Sequence, residues 1–310
     1  MSRFGLPLFS AVVWGGMFIV MAGALAHVDA VNAQAVRYVT AAAILSVLLA
    51  VTAGRRAFRT DGRAAELAVL GIVGIAGFNV LTNIALGYTA PQNGALMVAL
   101  TPLLTVLVRW VRDRVRPSGA TVALMVVALA GVFLVITHGH PTSLGSISWA
   151  DLLTLLGVLG WAIYTHGAGR YAAWGSLRFT TLTQIFGASA ILLLAAVADA
   201  TGLAHLPSLP DLGAAAWQIG YMTFGSSILA VLAWTLAVRK LGAANAALFM
   251  NLVPVVTFAI QIARGYHPVP AELAGAALTI AALVGSNVVA RRPVAVQVTR
   301  VAEREESLAR

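Results

Sequence analysis

Residues 85–105 read ALGYTAPQNGALMVALTPLLT, and residues 236–257 read LAVRKLGAANAALFMNLVPVVT, half a chain further on. Aligning Pro102 with Pro254 sets an offset of 152 residues between the two stretches. Identical residues then also meet in four further pairs: Asn93 with Asn245, Ala95 with Ala247, Leu96 with Leu248, and Thr105 with Thr257. We therefore interpret the chain as two copies of one structural unit.

The composition is that of a membrane protein. Of the 310 residues, 60% are hydrophobic and only 10% are charged, whereas soluble domains are about half apolar and about a quarter charged. The apolar runs extend along the whole chain, so we expect an all-α polytopic membrane protein. The sequence has no cysteine, which excludes disulfides, thiolate nucleophiles and iron–sulfur clusters.

Ten segments are long enough to cross a hydrocarbon layer of about 30 Å. They lie at about 4–26, 34–52, 65–87, 92–110, 119–137, 147–169, 178–198, 212–238, 243–263 and 271–290. Five spans per copy is an odd number, so the second copy enters the membrane from the opposite side. This predicts ten transmembrane helices from two inverted five-helix repeats, an architecture of many secondary transporters. The predicted units are residues 1–140, residues 141–290 and a disordered cytoplasmic tail at 291–310.

The charged residues predict the orientation of these spans. With the N-terminus in the cytoplasm, 18 of the 20 basic residues lie on the cytoplasmic side, and only Arg37 and Arg264 lie outside. We therefore expect a multi-pass protein of the inner membrane with both termini cytoplasmic. The net charge of +9 is explained by arginines that face an anionic leaflet of the lipid bilayer, and we expect no nucleic-acid partner.

At this point the sequence resembles a known family, the EamA-type branch of the drug/metabolite transporter superfamily. The resemblance rests on VVWGGMFIV at 12–20, NIALGYTAPQNGALMVALTPLLT at 83–105, GWAIYTHGAGRY at 160–171 and WTLAVRKLGAANAALFMNLVPVVT at 234–257. It implies ten helices in two five-helix repeats and a transport function. We expect the first span to remain part of this fold and not to be cleaved as a signal peptide.

Within that family, the chain looks most like the aromatic amino acid exporter branch. Trp161-x-x-Tyr164 and the Ala233-Trp234 pair carry this likeness. Trp234 is also a candidate for the lining of the substrate cavity. Phe78 stands where that branch tends to have a tyrosine.

A second departure from that branch precedes the first-repeat proline. The branch tends to have aromatic residues there, and this chain has Ala99 and Thr101. Because of these two departures, the alternative of a wider or less aromatic-selective pocket stays open.

Two prolines lie near the middle of their spans. Pro102 and Pro254 cannot donate to the carbonyls of Val98 and Met250, four residues earlier. In lipid such a carbonyl needs another partner, so each kink should face protein or a water-filled cavity. The kinks either line the transport path and act in gating, or are purely structural.

Polar residues on two of the predicted spans are further candidates for the cavity. Asn79 and Asn83 lie four residues apart on one face of the third span, and Asn251 shares a side of the ninth span with Pro254. Polar side chains at this depth usually face the bundle interior. The alternative is that they hydrogen-bond neighbouring helices to one another.

Aromatic stripes on the first and sixth spans predict the wall of a pocket. Trp14 and Phe18 form one stripe, and Trp161, Tyr164 and Thr165 form the other. An aromatic wall with polar tips suits a substrate with an apolar side chain and a charged backbone. The alternative is an aromatic belt at the membrane interface.

The acidic residues limit the mechanism. All eleven lie in loops, at span ends or in the tail, whereas a proton-driven pump for cationic drugs usually needs a carboxylate inside the membrane. No Walker motif points to ATP as the energy source. The sequence predicts no catalytic residue, no metal site and no cofactor, and thus not an enzyme.

We therefore predict a secondary transporter that exports small metabolites by alternating access, with amino acids, aromatic ones included, favoured as substrates. The alternative is a carrier for another neutral metabolite or drug. We expect the small-residue faces of the fifth and tenth spans to serve helix packing or a homodimer contact.

Overall fold

The computed structural model describes residues 4–139 and 148–291, and every regular element in these ranges is helical. The long elements are α1 (Gly5–Ala24), α2 (Ala30–Ala53), α3 (Ala64–Leu86), α4 (Pro91–Ala99 and Thr101–Asp113), α5 (Gly119–Ile136), α6 (Trp149–Arg170), α7 (Ser176–Ala200), α8 (Ala216–Leu241), α9 (Ala243–Ala247, Leu248–Asn251 and Leu252–Ala263) and α10 (Pro270–Arg291). Two short helices, Arg55–Phe58 and Leu209–Ala214, lie in the connections before α3 and α8. The predicted all-α class is confirmed for this part of the chain. Beyond Arg291, the predicted tail lies outside the described residues.

Membrane-spanning length is present in most of these helices. Seven are long and apolar enough to cross a bilayer, and the two segments of α4 make an eighth if they form one bent span. The apolar stretches of α5 and α10 are shorter, at Gly119–Val135 and Pro270–Ala282. The polytopic membrane class is therefore confirmed, and the count of ten spans stays a prediction.

Helix α2 begins four residues before the predicted span. The Asp29 carboxylate accepts hydrogen bonds from the backbone N–H groups of Val31 and Asn32, at 3.0 and 2.9 Å, and this N-cap starts the helix at Ala30. Arg37 is thus in the third turn of the helix, and its side chain is only 1% exposed. That Arg37 lies toward the outer side of the membrane stays a prediction, and its side chain is buried inside the helix bundle.

The first helix of each half packs against helices of the other half. Helix α1 lies against α8 and α9, and α6 lies against α3 and α4. The Thr257 hydroxyl donates to the Gly15 carbonyl at 2.8 Å, and a Cβ at Gly160 would collide with the Val73 carbonyl. Small residues thus allow close backbone approach at both contacts, as in other membrane bundles.

Helices α5 and α10 also pair across the halves. Thr279 on α10 donates to the Ala128 carbonyl on α5 at 3.2 Å, and Gly131 faces the backbone of Gly275. The predicted small-residue faces therefore meet each other within one chain. A homodimer contact through these helices stays a prediction.

Irregular turns recur at the same offset in both halves. Adding 152 to the residue numbers of the π-helical segment Leu70–Gly77 in α3 gives 222–229. These numbers lie within the π-helical segment Tyr221–Ala230 in α8. Helix α4 bends by 40° directly before Pro102, between Ala99 and Thr101. In α9 a 3-10 turn, Leu248–Asn251, lies at the corresponding place before Pro254. Wide and broken turns of this kind are often found at functional sites.

Candidate functional site

Three tryptophans meet at the centre of the bundle. The ring centroid of Trp14 on α1 lies 5.4 Å from that of Trp161 on α6 and 5.3 Å from that of Trp234 on α8. Phe78 on α3 lies 5.5 Å from Trp161, and Tyr164 stacks on Trp161 at 5.0 Å. Helices from both halves therefore build one aromatic cluster, and the interfacial-belt interpretation does not fit these buried rings.

A small cavity lies beside this cluster. Its volume is about 20 Å³, room for about one water molecule. Its lining residues come from both halves of the chain: Trp14, Met17, Phe18, Arg37, Tyr38, Phe78, Asn79, Val98, Trp161, Ser226, Val231 and Met250. The centre of the bundle is thus closed around a nearly filled space.

Arg37 supplies the charge of this cavity. Its Nε donates to the Ser227 hydroxyl at 2.6 Å, and its Nη2 donates to the Ser226 hydroxyl at 2.9 Å. Nη1 donates to the side-chain carbonyls of Gln34 at 3.1 Å and Asn79 at 3.4 Å. Every one of these acceptors is neutral, and the π-helical segment of α8 carries both serines.

No carboxylate pairs with Arg37 among the residues that the structure describes. The ion pairs found there join His138 with Glu272, His166 with Asp113, Arg170 with Glu66 and Arg178 with Asp61. The two buried acids, Asp151 and Glu272, accept hydrogen bonds near the starts of α6 and α10 instead. The cavity therefore carries a guanidinium that only neutral groups surround.

Five of the ten predicted substrate-binding residues line the cavity: Trp14, Phe18, Phe78, Asn79 and Trp161. Trp234 and Tyr164 lie directly behind it, in ring contact with Trp161. Asn83 does not reach the cavity. Its amide donates to the Asn79 carbonyl at 2.6 Å, and its side chain lines a separate cavity nearer the end of α3.

Several polar atoms of the predicted site have no hydrogen-bond partner in the described structure. They are Nε1 of Trp161, Nε1 of Trp234, the hydroxyls of Tyr164 and Thr165 and both amide atoms of Asn251. All five side chains are buried, and buried polar groups are normally satisfied by protein or water. The predicted site therefore has hydrogen-bond donors and acceptors that no described protein group satisfies.

Larger cavities lie at the two ends of the bundle. We call the end that carries residues 55–63 the Arg55 face, and the end that carries residues 87–90 the Gly87 face. Cavities of about 550 and 670 Å³ lie at the Gly87 face, and one of about 310 Å³ lies near the Arg55 face. The central cavity is thus much smaller than the cavities at the two ends.

Sequence reasoning missed Arg37, Tyr38 and Ser226 as cavity residues. Arg37 and Tyr38 already lay within the predicted span 34–52, and the Asp29 N-cap adds one turn of helix before them. Ser226 owes its position to a π-helical segment, and such segments have no recognised composition signal. The proline pair was predicted as kinks, and Pro102 and Pro254 are both buried directly after the irregular turns.

A polytopic bundle of apolar helices, with a closed polar cavity between its halves, is the architecture of a membrane transporter. The EamA-like transporter family matches residues 4–137 and 148–288. The chain belongs to this family.

Relatives of known name agree with that assignment. The uncharacterized transporter YrdR of Bacillus subtilis (strain 168) is 30% identical over 92% of this chain and 91% of its own length. A probable terminal-alkyne amino-acid exporter of Streptantibioticus cattleyicolor is 26% identical over 79% of this chain and 80% of its own length. The uncharacterized inner membrane transporter YedA of Escherichia coli (strain K12) is 22% identical over 84% of this chain and 83% of its own length.

A solved crystal structure shares the fold. It aligns with a TM-score of 0.69 over 94% of this chain and 99% of that chain, at 20% identity. At this identity the likeness concerns the arrangement of helices alone.

Proposed function

We propose that the protein is a secondary transporter that exports small metabolites, chiefly amino acids with aromatic members among them. The single observation that carries the proposal is the cluster of three tryptophans beside a charged cavity between the halves. Indole rings bind apolar and aromatic side chains, and the guanidinium and amide groups suit the polar backbone of an amino acid. The proposal includes no catalytic step, cofactor or resident metal.

The proposed mechanism is alternating access between two inverted five-helix repeats, residues 1–140 and 141–290. Three features support it: the packing of α1 and α6 against helices of the other half, the paired π-helical segments, and the paired breaks before Pro102 and Pro254. In this mechanism the halves rock around the central cavity and open it first to one face and then to the other.

The printed name of one relative also supports amino acids as the substrate class. The Streptantibioticus cattleyicolor protein is named as a probable amino-acid exporter, which favours amino acids over the alternative of another neutral metabolite or drug. The central cavity does not itself select between these, because its volume is too small for any of them. Transport measurements must therefore compare the classes directly.

A counterflow measurement tests the proposed function. Proteoliposomes loaded with millimolar tryptophan should transiently accumulate external radiolabelled tryptophan, because exchange through one site needs no energy source. Leucine and a quaternary ammonium drug serve as the second and third substrates, and empty liposomes as the control. Exchange of the drug with none of either amino acid would contradict the amino acid assignment and support the alternative.

We propose that the Arg55 face is cytoplasmic, in the inner membrane of the cell, with both termini on that side. The support is the 18 basic residues that the positive-inside rule places there. A single cysteine in place of the exposed Arg56 should react with an impermeant maleimide only in inverted membranes. A cysteine in place of Leu203, which is 85% exposed, should react only in intact cells, and the reverse pattern would contradict this orientation.

A further inference from the structure

We propose that Arg37 binds the carboxylate of the transported molecule, which makes the cavity a site for carboxylates with an aromatic or apolar body. Amines and amides of the same shape should bind poorly. The inference rests on the proposed transport function for its physiological meaning. The binding chemistry of Arg37 is testable apart from transport.

Arg37 carries a buried charge that no described acid neutralises, and its guanidinium carbon lies 4.7 Å from the centroid of the Tyr38 ring. Arginine stays protonated inside proteins, and Arg37 is 1% exposed within a membrane-spanning helix. A buried charge is strongly unfavourable unless it is paired, and no acid of the described residues forms an ion pair with this one. An ionisable group of this kind inside a membrane protein marks a substrate or ion site, and its natural partner is an anion.

The geometry of the guanidinium also favours an anion as its partner. Three short hydrogen bonds hold it in place, to Ser227 at 2.6 Å, Ser226 at 2.9 Å and Gln34 at 3.1 Å. Two weaker contacts remain, from Nη1 to the Asn79 amide oxygen at 3.4 Å and from Nη2 to the sulfur of Met17 at 3.3 Å. Thioether sulfur is a poor acceptor.

Asn79 and Met17 line the cavity together with Arg37, and so does Ser226, which accepts one of the short bonds. Each of the two weaker contacts involves a different terminal nitrogen of the guanidinium. A carboxylate accepts two parallel N–H bonds from such a pair of nitrogens. A substrate carboxylate could therefore replace the two weak contacts and leave the three short ones intact.

The other end of the substrate would contact aromatic side chains. The tryptophan cluster faces the same cavity, so an aromatic body has a wall to stack against. The residues that line the cavity include no carboxylate to receive an ammonium group. The anchor is therefore the acid group, and the α-amino group of an amino acid should matter less for binding.

Binding of four indole compounds to the purified, full-length protein tests this inference. Tryptophan carries a carboxylate and an ammonium group, indole-3-propionate carries only a carboxylate, and tryptophanamide and tryptamine carry an ammonium group without a carboxylate. We expect the two carboxylates to protect the protein against heat at concentrations about tenfold to a hundredfold lower than the amide and the amine. Equal protection by tryptophan and tryptophanamide would overturn the inference, whether or not tryptophan is transported.

Variants of Arg37 give the second measurement. Arg37→Gln should abolish the preference for carboxylates, and Arg37→Lys should restore part of it, since lysine keeps the charge without the planar fork. Arg55→Gln, at an exposed arginine on the Arg55 face, is the matched control and should bind like the native protein. An Arg37→Gln protein that still prefers carboxylates contradicts the proposal, and if this variant does not fold, the wild-type compound series decides.

The same compounds separate this inference from the proposed function. Carboxylate-selective binding without exchange of any amino acid would leave Arg37 as an anion site and refute amino acid export. Tryptophan exchange that tryptophanamide inhibits as well as tryptophan does would leave the transporter intact and refute the role of Arg37.

Discussion

Replacing Trp161 with alanine should weaken the apparent affinity for tryptophan in counterflow by about 5- to 150-fold, or about 1–3 kcal/mol. Trp161 contacts Trp14, Phe78, Tyr164 and Trp234 and lines the cavity itself. Its removal therefore takes away the ring on which an aromatic substrate would stack and loosens the rest of the wall.

The alanine variant also creates a hole in a packed region, so folding must be measured together with transport. Loss of a buried aromatic side chain costs about 3–5 kcal/mol in soluble cores. Trp161→Phe is the gentler variant: it keeps a ring, and it removes an indole N–H that has no partner in the described structure. Its melting temperature should be close to native, whereas its affinity for tryptophan should fall if the substrate accepts from that N–H.

Trp110→Ala provides the matched control for both variants. Trp110 lies at the far end of α4, is 44% exposed, and does not line the central cavity. Its loss should leave counterflow unchanged. Native transport by both Trp161 variants would mean that the tryptophan cluster is packing and that the substrate binds elsewhere.

Much of the fold followed from simple patterns. Apolar runs located the helices within a few residues, and the repeated Pro102 and Pro254 stretches pointed to the irregular turns of α4 and α9. Helix periodicity placed Trp14 and Trp161 on inward faces, where the structure has them. These features are local, or they repeat at one offset, so one sequence is enough to detect them.

The part of the site that could not be predicted is formed by packing between segments that are distant in the chain. The predicted span 34–52 already contained Arg37, but this residue was interpreted only as one of the two basic residues on the outer side. Its acceptors, Ser226 and Ser227, lie about 190 residues away in a π-helical segment. No spacing rule within α2 could have brought them together. Likewise, nothing in α5 alone revealed that Gly131 packs against α10 of the same chain.

The central claim is that one cavity between the two halves opens to both sides of the membrane and binds the substrate. Val98 lines this cavity and is 2% exposed. Because the sequence has no cysteine, Val98→Cys gives a protein with a single cysteine at this position. Ala188→Cys, which is 5% exposed in the packed core of α7 and away from the cavity, is the control and should stay unreactive.

The decisive measurement is the rate at which a small, impermeant thiol reagent modifies Val98→Cys from each side of the membrane. The account predicts modification from the Arg55 face and from the Gly87 face, because the closed state alternates with two open ones. It also predicts that saturating tryptophan slows modification from both faces. A cysteine that reacts from one face only, or that reacts at the same rate with and without tryptophan, would contradict a shared, alternately exposed substrate site.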